Sequence, residues 1–262
     1  MSSKIKIGFP PNTICEDAVR LDVLATEKNY AVINKPAGIL FDSYLGSPKM
    51  KSVILAMRER PDKPEFQRLS IQSPYAVNQV DFEISGATIL ACDKDTANDM
   101  RNAMWSESME FEYLLLAKNA GQKEENFVVD LPILKHEERN VWIVSHRFGK
   151  KAKTEFQIIE TAGQYQLWKA KARTVRPHQI RVHAHEAKLN VVGEWIYSRT
   201  PLIYLSKLKA DSYKVDRTLE EEQPLYNSLY IHLAKANDVC APLPKGFATT
   251  LKRLGFKWKQ EL

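Results

Sequence analysis

The chain has 262 residues, 44% of them hydrophobic and 27% charged, with a net charge of +6 and a pI near 9.0. That length can bury a sizeable core in one domain or two, and the composition is that of an ordinary globular protein. There is no apolar run of membrane-spanning length and no signal-peptide core after Met1-Ser2-Ser3-Lys4-Ile5-Lys6, and Cys15, Cys92 and Cys240 fit neither a disulfide framework nor a zinc site.

In chain order, residues 1–21 read as a short N-terminal leader and 22–262 as a single α+β domain. Tyr30 to Ile33 predicts a strand closed by the turn Lys35-Pro36-Ala37-Gly38. Ser47-Pro48 has the form of a helix cap and first position. Val53, Ile54, Leu55 and Met57 supply the apolar side before Pro61. Ala87 to Cys92 is a short apolar run that suits a buried strand. A helix then follows from a cap at Asp95 to about Trp105. Strands are predicted at Phe111 to Ala117, Phe127 to Leu131, Val141 to Ser145, Thr154 to Glu160, Tyr165 to Arg173 and Leu229 to Leu233. Their short connections imply mainly antiparallel pairing, and Phe247 to Leu254 predicts a closing helix. Residues 199–228 are polar and proline-punctuated, and read as a surface insertion.

Basic residues are unevenly placed. Arg147, Lys150, Lys151 and Lys153 precede one strand, and Lys169, Lys171, Arg173 and Arg176 lie on and after the next, as a basic stripe feeding a cleft would require. The same pattern also fits a solvated face. The segment Thr174-Val175-Arg176-Pro177-His178-Gln179-Ile180-Arg181-Val182-His183 is the most informative in the chain. With Pro177 as the first helical position, Ile180, Ala184 and Ala187 share an apolar face, and His178, Arg181 and His185 share another. Guanidinium forks in that setting suit phosphates or a carboxylate. Upstream, Asp81 and Glu83 enter the buried strand on a loop, either as a carboxylate pair or as plain loop acidity. Arg181 could neutralise and aim Asp81.

These blocks, in this order, resemble the RluA-type RNA pseudouridine synthases. Asn34-Lys35-Pro36-Ala37-Gly38 is similar to the family's early Asn-Lys-Pro-Gly turn, and Asp81 with Ser85-Gly86 to the aspartate motif. Tyr113 resembles its strand tyrosine. Arg176 to His183, with Val192-Gly193-Glu194 and Tyr197, resembles the Arg-Thr-His-Gln-Ile-Arg-Val-His and Gly-Asp-x-x-Tyr blocks. Ile231-His232-Leu233 and Ala241-Pro242-Leu243-Pro244 have counterparts near the family's C-terminus. The likeness spans roughly residues 22–255.

It implies a mixed, mainly antiparallel sheet with a central RNA-binding cleft. The implied activity is a cofactor-free, metal-free isomerase of uridine in ribosomal or transfer RNA. A cytoplasmic protein is expected, with a monomer favoured and the oligomeric state not fixed by the sequence. Asp81 would be the essential carboxylate, Tyr113 the residue that stacks on the flipped base, and Arg181 the partner of Asp81. Lys35, Gln79, Arg176 and Gln179 would contact RNA or hold the loop. The sequence also departs from the family. Asn78-Gln79 stands where it has His-Arg, Ile84 where it has Thr, Val175-Arg176-Pro177 where it has Gly-Arg-Thr, and Glu194 where it has Asp. A catalytically silent RNA-binding or ribosome-assembly factor is therefore the alternative, with a small-molecule nucleosidase a weaker third.

Overall fold

The computed structural model describes residues 5–43, 51–119, 121, 124–208 and 222–260. In order the elements are β1 (Lys6–Phe9), β2 (Val19–Thr26), β3 (Tyr30–Lys35), α1 (Val53–Arg58), α2 (Pro64–Arg68), β4 (Tyr75–Ala76) and β5 (Ser85–Ala91). Next come α3 (Lys94–Trp105), β6 (Phe111–Lys118), β7 (Asn126–Asp130), β8 (Ile133–Lys135), β9 (Trp142–Val144), β10 (Lys153–Ala162) and β11 (Tyr165–Ala172). The chain ends with α4 (Gln179–Glu186), β12 (Asn190–Val191), α5 (Leu205–Leu208), β13 (Ile231–Ala236), β14 (Val239–Cys240) and α6 (Lys245–Leu254).

Among the described residues one sheet runs β1-β2-β3-β5-β13-β6-β11-β10-β7, with β4, β12 and β14 paired at its side. Every pairing is antiparallel except that of β13 with β5. The α+β class and the antiparallel bias are as expected. Strand β5 is buried at every position, which is why it reads as an unbroken apolar run. Gly86 has φ +126°, and a Cβ there would lie 2.1 Å from the Leu233 carbonyl oxygen. The parallel contact with β13 therefore requires glycine at this position.

One sheet face packs Tyr113, Trp168 and Ala170 against Ala97 and Met104 of α3 and Ile180 and Ala184 of α4. The other face packs Leu116, Leu167 and Tyr230 against Phe247 and Leu251 of α6. Phe247 is fully buried, and its truncation to alanine costs about 3–5 kcal/mol. A third cluster joins Ile7, Phe9 and Leu21 to Ile54, Met57 and Phe66 of the short helices.

Several boundaries differ from those expected. Residues 6–9 and the chain from 19 form β1 and β2, so the segment read as a leader is built into the sheet and its core. The cap of α3 is Asp93, whose carboxylate accepts from Thr96 N–H at 2.8 Å, rather than Asp95. The cap of α1 is Ser52; Ser47-Pro48 lies outside the described residues. Within 199–228, residues 209–221 also lie outside them, and the described flanks are packed on the body. Ile203 is buried, and Leu202, Leu225 and Tyr226 join the α6 cluster.

Candidate active site

Asp81 sits on the loop between β4 and β5 at the middle of the sheet, and is 4% exposed. That loop is held chiefly through backbone. Asn78, fully buried, accepts from Ile89 N–H at 2.7 Å and donates to Ala87 O at 3.2 Å, so its carboxamide acts like one more peptide unit beside β5. Lys35 Nζ donates to the carbonyls of Ile84 at 2.6 Å, Pro36 at 3.1 Å and Phe82 at 3.3 Å. Burial pushes Lys35 down to about 7, opposed by the charges of Asp81 and Glu83. Ile84, where the family has threonine, contributes its carbonyl to Lys35 and its N–H to Asp81 O.

Across the cleft, helix α4 does not start at Pro177. His178 is its cap, in the left-handed conformation at φ 57° and ψ 6°. Such a backbone costs a non-glycine residue of order 1–3 kcal/mol, and here it turns the His178 N–H onto Asp81 Oδ1 at 3.1 Å. The imidazole is fixed in turn. Tyr197 Oη accepts from Trp142 N–H at 3.0 Å and lies 2.7 Å from His178 Nδ1, while the Trp142 ring is tilted against the imidazole with its centre 4.6 Å away. Burial lowers the pKa of His178, partly offset by Asp81.

Arg181, 2% exposed, meets three carboxylates. Its Nε and Nη2 donate to the two oxygens of Glu194 at 2.7 and 3.0 Å, and Nη1 donates to Glu83 at 3.0 Å. Asp81 Oδ2 is an ion-pair partner at 3.8 Å, beyond hydrogen-bond reach. The expected Asp81–Arg181 juxtaposition is present, but the direct bonds of Arg181 go elsewhere. Burial opposes its charge, yet the Glu194 bond and the neighbouring carboxylates raise its pKa above the ordinary value. Glu194 is lowered despite burial by the same bond and by the N–H groups of Ile196 and Tyr197.

Tyr113 lines the same narrow cleft as Asp81, with Gln79, Val80, Ile84, Val175, Arg176, Gln179 and Ile180. Burial first, and the charge of Asp81 second, raise the Tyr113 pKa, so it is a neutral phenol at physiological pH. Gln79 and Arg176 are partly exposed at the rim. Lys35 and Gln179, candidates for RNA contact, are instead interior, so holding the loop is the role their positions allow. Gln179 accepts from Arg176 N–H and donates to Lys153 O and Thr154 Oγ1. His183 is likewise structural, lying 2.8 Å from Thr154 Oγ1 and 2.9 Å from Leu131 O.

The basic stripe is divided. Lys169 and Lys171 pair with Glu112 and Glu110 at 3.4 and 3.3 Å on the face of β11 opposite Trp168 and Ala170. In the sequence Glu194 and Tyr197 stand only as matches to a motif, with no role attached. The Arg181–Glu194 fork has no signature of its own in the chain, because spacing alone does not show that residue 194 returns to α4.

A profile of the RNA pseudouridylate synthase family matches residues 29–186. Ribosomal large subunit pseudouridine synthase D of Yersinia pestis is 25% identical over 70% of this chain and 54% of its own length. The protein of that name from Nitrosomonas europaea is 25% identical over 70% and 52%. An RNA pseudouridine synthase of Chloroflexus aurantiacus is 27% identical over 66% and 54%. The chain thus spans about half the length of the curated relatives it matches. In fold it is similar to human RNA pseudouridylate synthase domain containing 4, with TM-score 0.63 and 19% identity over 88% of this chain and 92% of that one. The corresponding human domain-containing 1 structure gives TM-score 0.55 and 19% identity over 86% and 84%.

Proposed function

The chain belongs to the RNA pseudouridylate synthase family, and on that premise we propose that it isomerises uridine to pseudouridine in RNA, with ribosomal RNA as the substrate class. One observation supports this most. A buried carboxylate, Asp81, is oriented by the His178 N–H and flanked by Arg181, and it shares a narrow cleft with a neutral tyrosine. A uridine flipped from its stack enters the cleft and meets Tyr113 through its ring face. Asp81 promotes cleavage of the N1–C1′ bond, by attack at C1′ or by drawing off a ribose proton to form a glycal. The freed uracil turns and bonds to C1′ through C5; the C5 proton is lost and N1 gains one, so the overall reaction is an isomerisation. The raised pKa of Tyr113 favours stacking over service as a phenolate base. Arg181 balances the buried negative charge, and Arg176 and Gln79 meet RNA at the rim. We propose that the protein acts in the cytoplasm. No helix among the described residues is long and apolar enough to cross a membrane.

The test is tritium release from ribosomal RNA labelled at uridine C5. The wild type is expected to release label, and Asp81→Asn to be slower by about 10³-fold or more. Retained RNA binding with no wild-type release would replace this reading by the silent RNA-binding factor.

A further inference from the structure

The β8–β9 hairpin and the turn after it carry Ser145-His146-Arg147-Phe148-Gly149-Lys150-Lys151, a segment the Asp81 cluster does not use. The turn is internally braced. Ser145 N–H donates to Pro132 O at 2.9 Å, Gly149 N–H to Ser145 O at 2.8 Å, and Phe148 N–H to Ser145 Oγ at 3.3 Å. Lys150 and Ile133 exchange backbone bonds at 2.9 and 3.0 Å. A Cβ on Gly149 would lie 2.3 Å from Ser145 O, so the turn closes in this form only with glycine. Ile133, Trp142 and Ala152 anchor the hairpin on Val182 of α4.

On that fixed frame Phe148 stands 65% exposed, with the Arg147 guanidinium 4.9 Å from its ring centre. Lys150 and Lys151 are exposed beside it. These cations differ from the others nearby. Lys153, Lys169 and Lys171 each have a carboxylate within 4 Å, whereas among the described residues Arg147, Lys150 and Lys151 have none. A cationic turn with no carboxylate partner among the described residues, carrying an exposed aromatic ring, is complementary to a polyanion that has rings of its own.

Both ends of the finger touch the catalytic segment. The Trp142 ring lies tilted against His178, whose N–H holds Asp81, and Lys151 O accepts from Arg176 Nε at 2.8 Å. Arg176 lines the Asp81 cleft and lies 4.6 Å over the exposed Trp105 ring. Gln79, at the family's arginine position, brings no charge to the rim. The finger carries cations and joins the rim through the Arg176–Lys151 bond.

We propose that residues 142–151, with Trp105, form a docking surface for single-stranded RNA flanking the target uridine. Arg147, Lys150 and Lys151 meet its phosphates, and Phe148 and Trp105 stack on its bases. This rests on RNA being the substrate, and it adds that the strand beside the target is unpaired. A paired A-form strand keeps its base faces stacked and offers none to Phe148.

The test is fluorescence anisotropy of the full chain with a labelled oligouridylate of about 12 nucleotides, titrated over roughly 50 to 200 mM salt. The four finger side chains are exposed, so their replacement spares the core. The triple variant Arg147→Gln/Lys150→Gln/Lys151→Gln is expected to weaken binding by at least ~10-fold and to lower the log–log salt slope by about 2. Phe148→Ala is expected to weaken it about 5-fold or more at an unchanged slope. An unchanged slope in the triple variant overturns the proposal. So does equal binding of the same strand annealed to oligoadenylate, or an equal finger-dependent affinity for oligoglutamate. Tritium release reports separately. Finger-dependent RNA binding without release removes the catalytic reading alone, and release without finger dependence removes the finger alone.

Discussion

Asp81 and Arg181 face each other from segments that are held in opposite ways. The Asp81 loop is gripped by bonds to main-chain groups: Lys35 takes its carbonyls at Phe82 and Ile84, besides that of Pro36, and the Asn78 carboxamide splices the loop to the backbone of β5. Arg181 is gripped by side-chain acceptors, Glu194 in a two-point fork and Glu83 at its open nitrogen. Any residue has a carbonyl, so Ile84, which departs from the family pattern, keeps the Lys35 bond through its backbone. Asn78 departs from the pattern too, but its role rests on a buried carboxamide that makes two bonds to β5. On the other side the chemistry resides in paired side chains, and no member can change alone without stranding a buried charge.

The largest effect that would test this contrast is Arg181→Met, which leaves Glu194 and Asp81 buried without their cation. It is expected to cost about 3–5 kcal/mol by urea unfolding, with partial recovery in Arg181→Met/Glu194→Gln. A loss below ~1 kcal/mol would show that the carboxylates find other partners.

Next is Lys35→Met, which frees three carbonyls and is expected to cost about 2–4 kcal/mol near neutral pH. The pH dependence has a definite sign. With the native pKa near 7 and the unfolded one near 10.4, the unfolded chain holds a proton that the native state has lost across that window. Burying the charge penalises the fold below pH 7, and the penalty is relieved as pH rises towards 10.4. Wild-type stability relative to Lys35→Met should therefore increase over that range, and a flat difference would contradict it.

Tyr197→Phe should act on rate more than on stability. It removes the hydroxyl beside His178 Nδ1 and loosens the positioning of Asp81 through the His178 N–H. The expected result is about a 10-fold loss in kcat at unchanged KM, with about 1 kcal/mol lost in stability. A rise in KM alone would make Tyr197 an RNA contact instead. The smallest effect is that of Gln79→Arg at the rim, expected to tighten RNA binding a few-fold and to steepen its salt slope by less than about 1.

Much of this was legible in the chain. The buried run at β5 and the strands β3, β6, β7, β10 and β11 follow from apolar patterning and turn residues, and the resemblance brought Asp81, Tyr113 and Arg181 into one proposal. Other features were not legible. The cap of α3 moved from Asp95 to Asp93, because several polar residues near a helix start qualify and only the fold selects one. The start of α4 was misplaced because Pro177 suits a first helical position, while the contact with Asp81 draws His178 into a left-handed turn instead.

The sequence by itself determined the order of strands along the chain, the apolar run that becomes β5, and the set of charged residues available to a cleft. Local sterics and apolar periodicity act over a few residues and are written into the chain there. Tertiary structure alone decided which charges meet. It gave Arg181 mainly to Glu194, sent Lys35 and Gln179 inward, neutralised Lys169 and Lys171 on the far face of β11, and left Arg147, Lys150 and Lys151 without a carboxylate partner among the described residues. Electrostatic partners are set by distances through space and by burial, and neither is encoded in spacing along the chain.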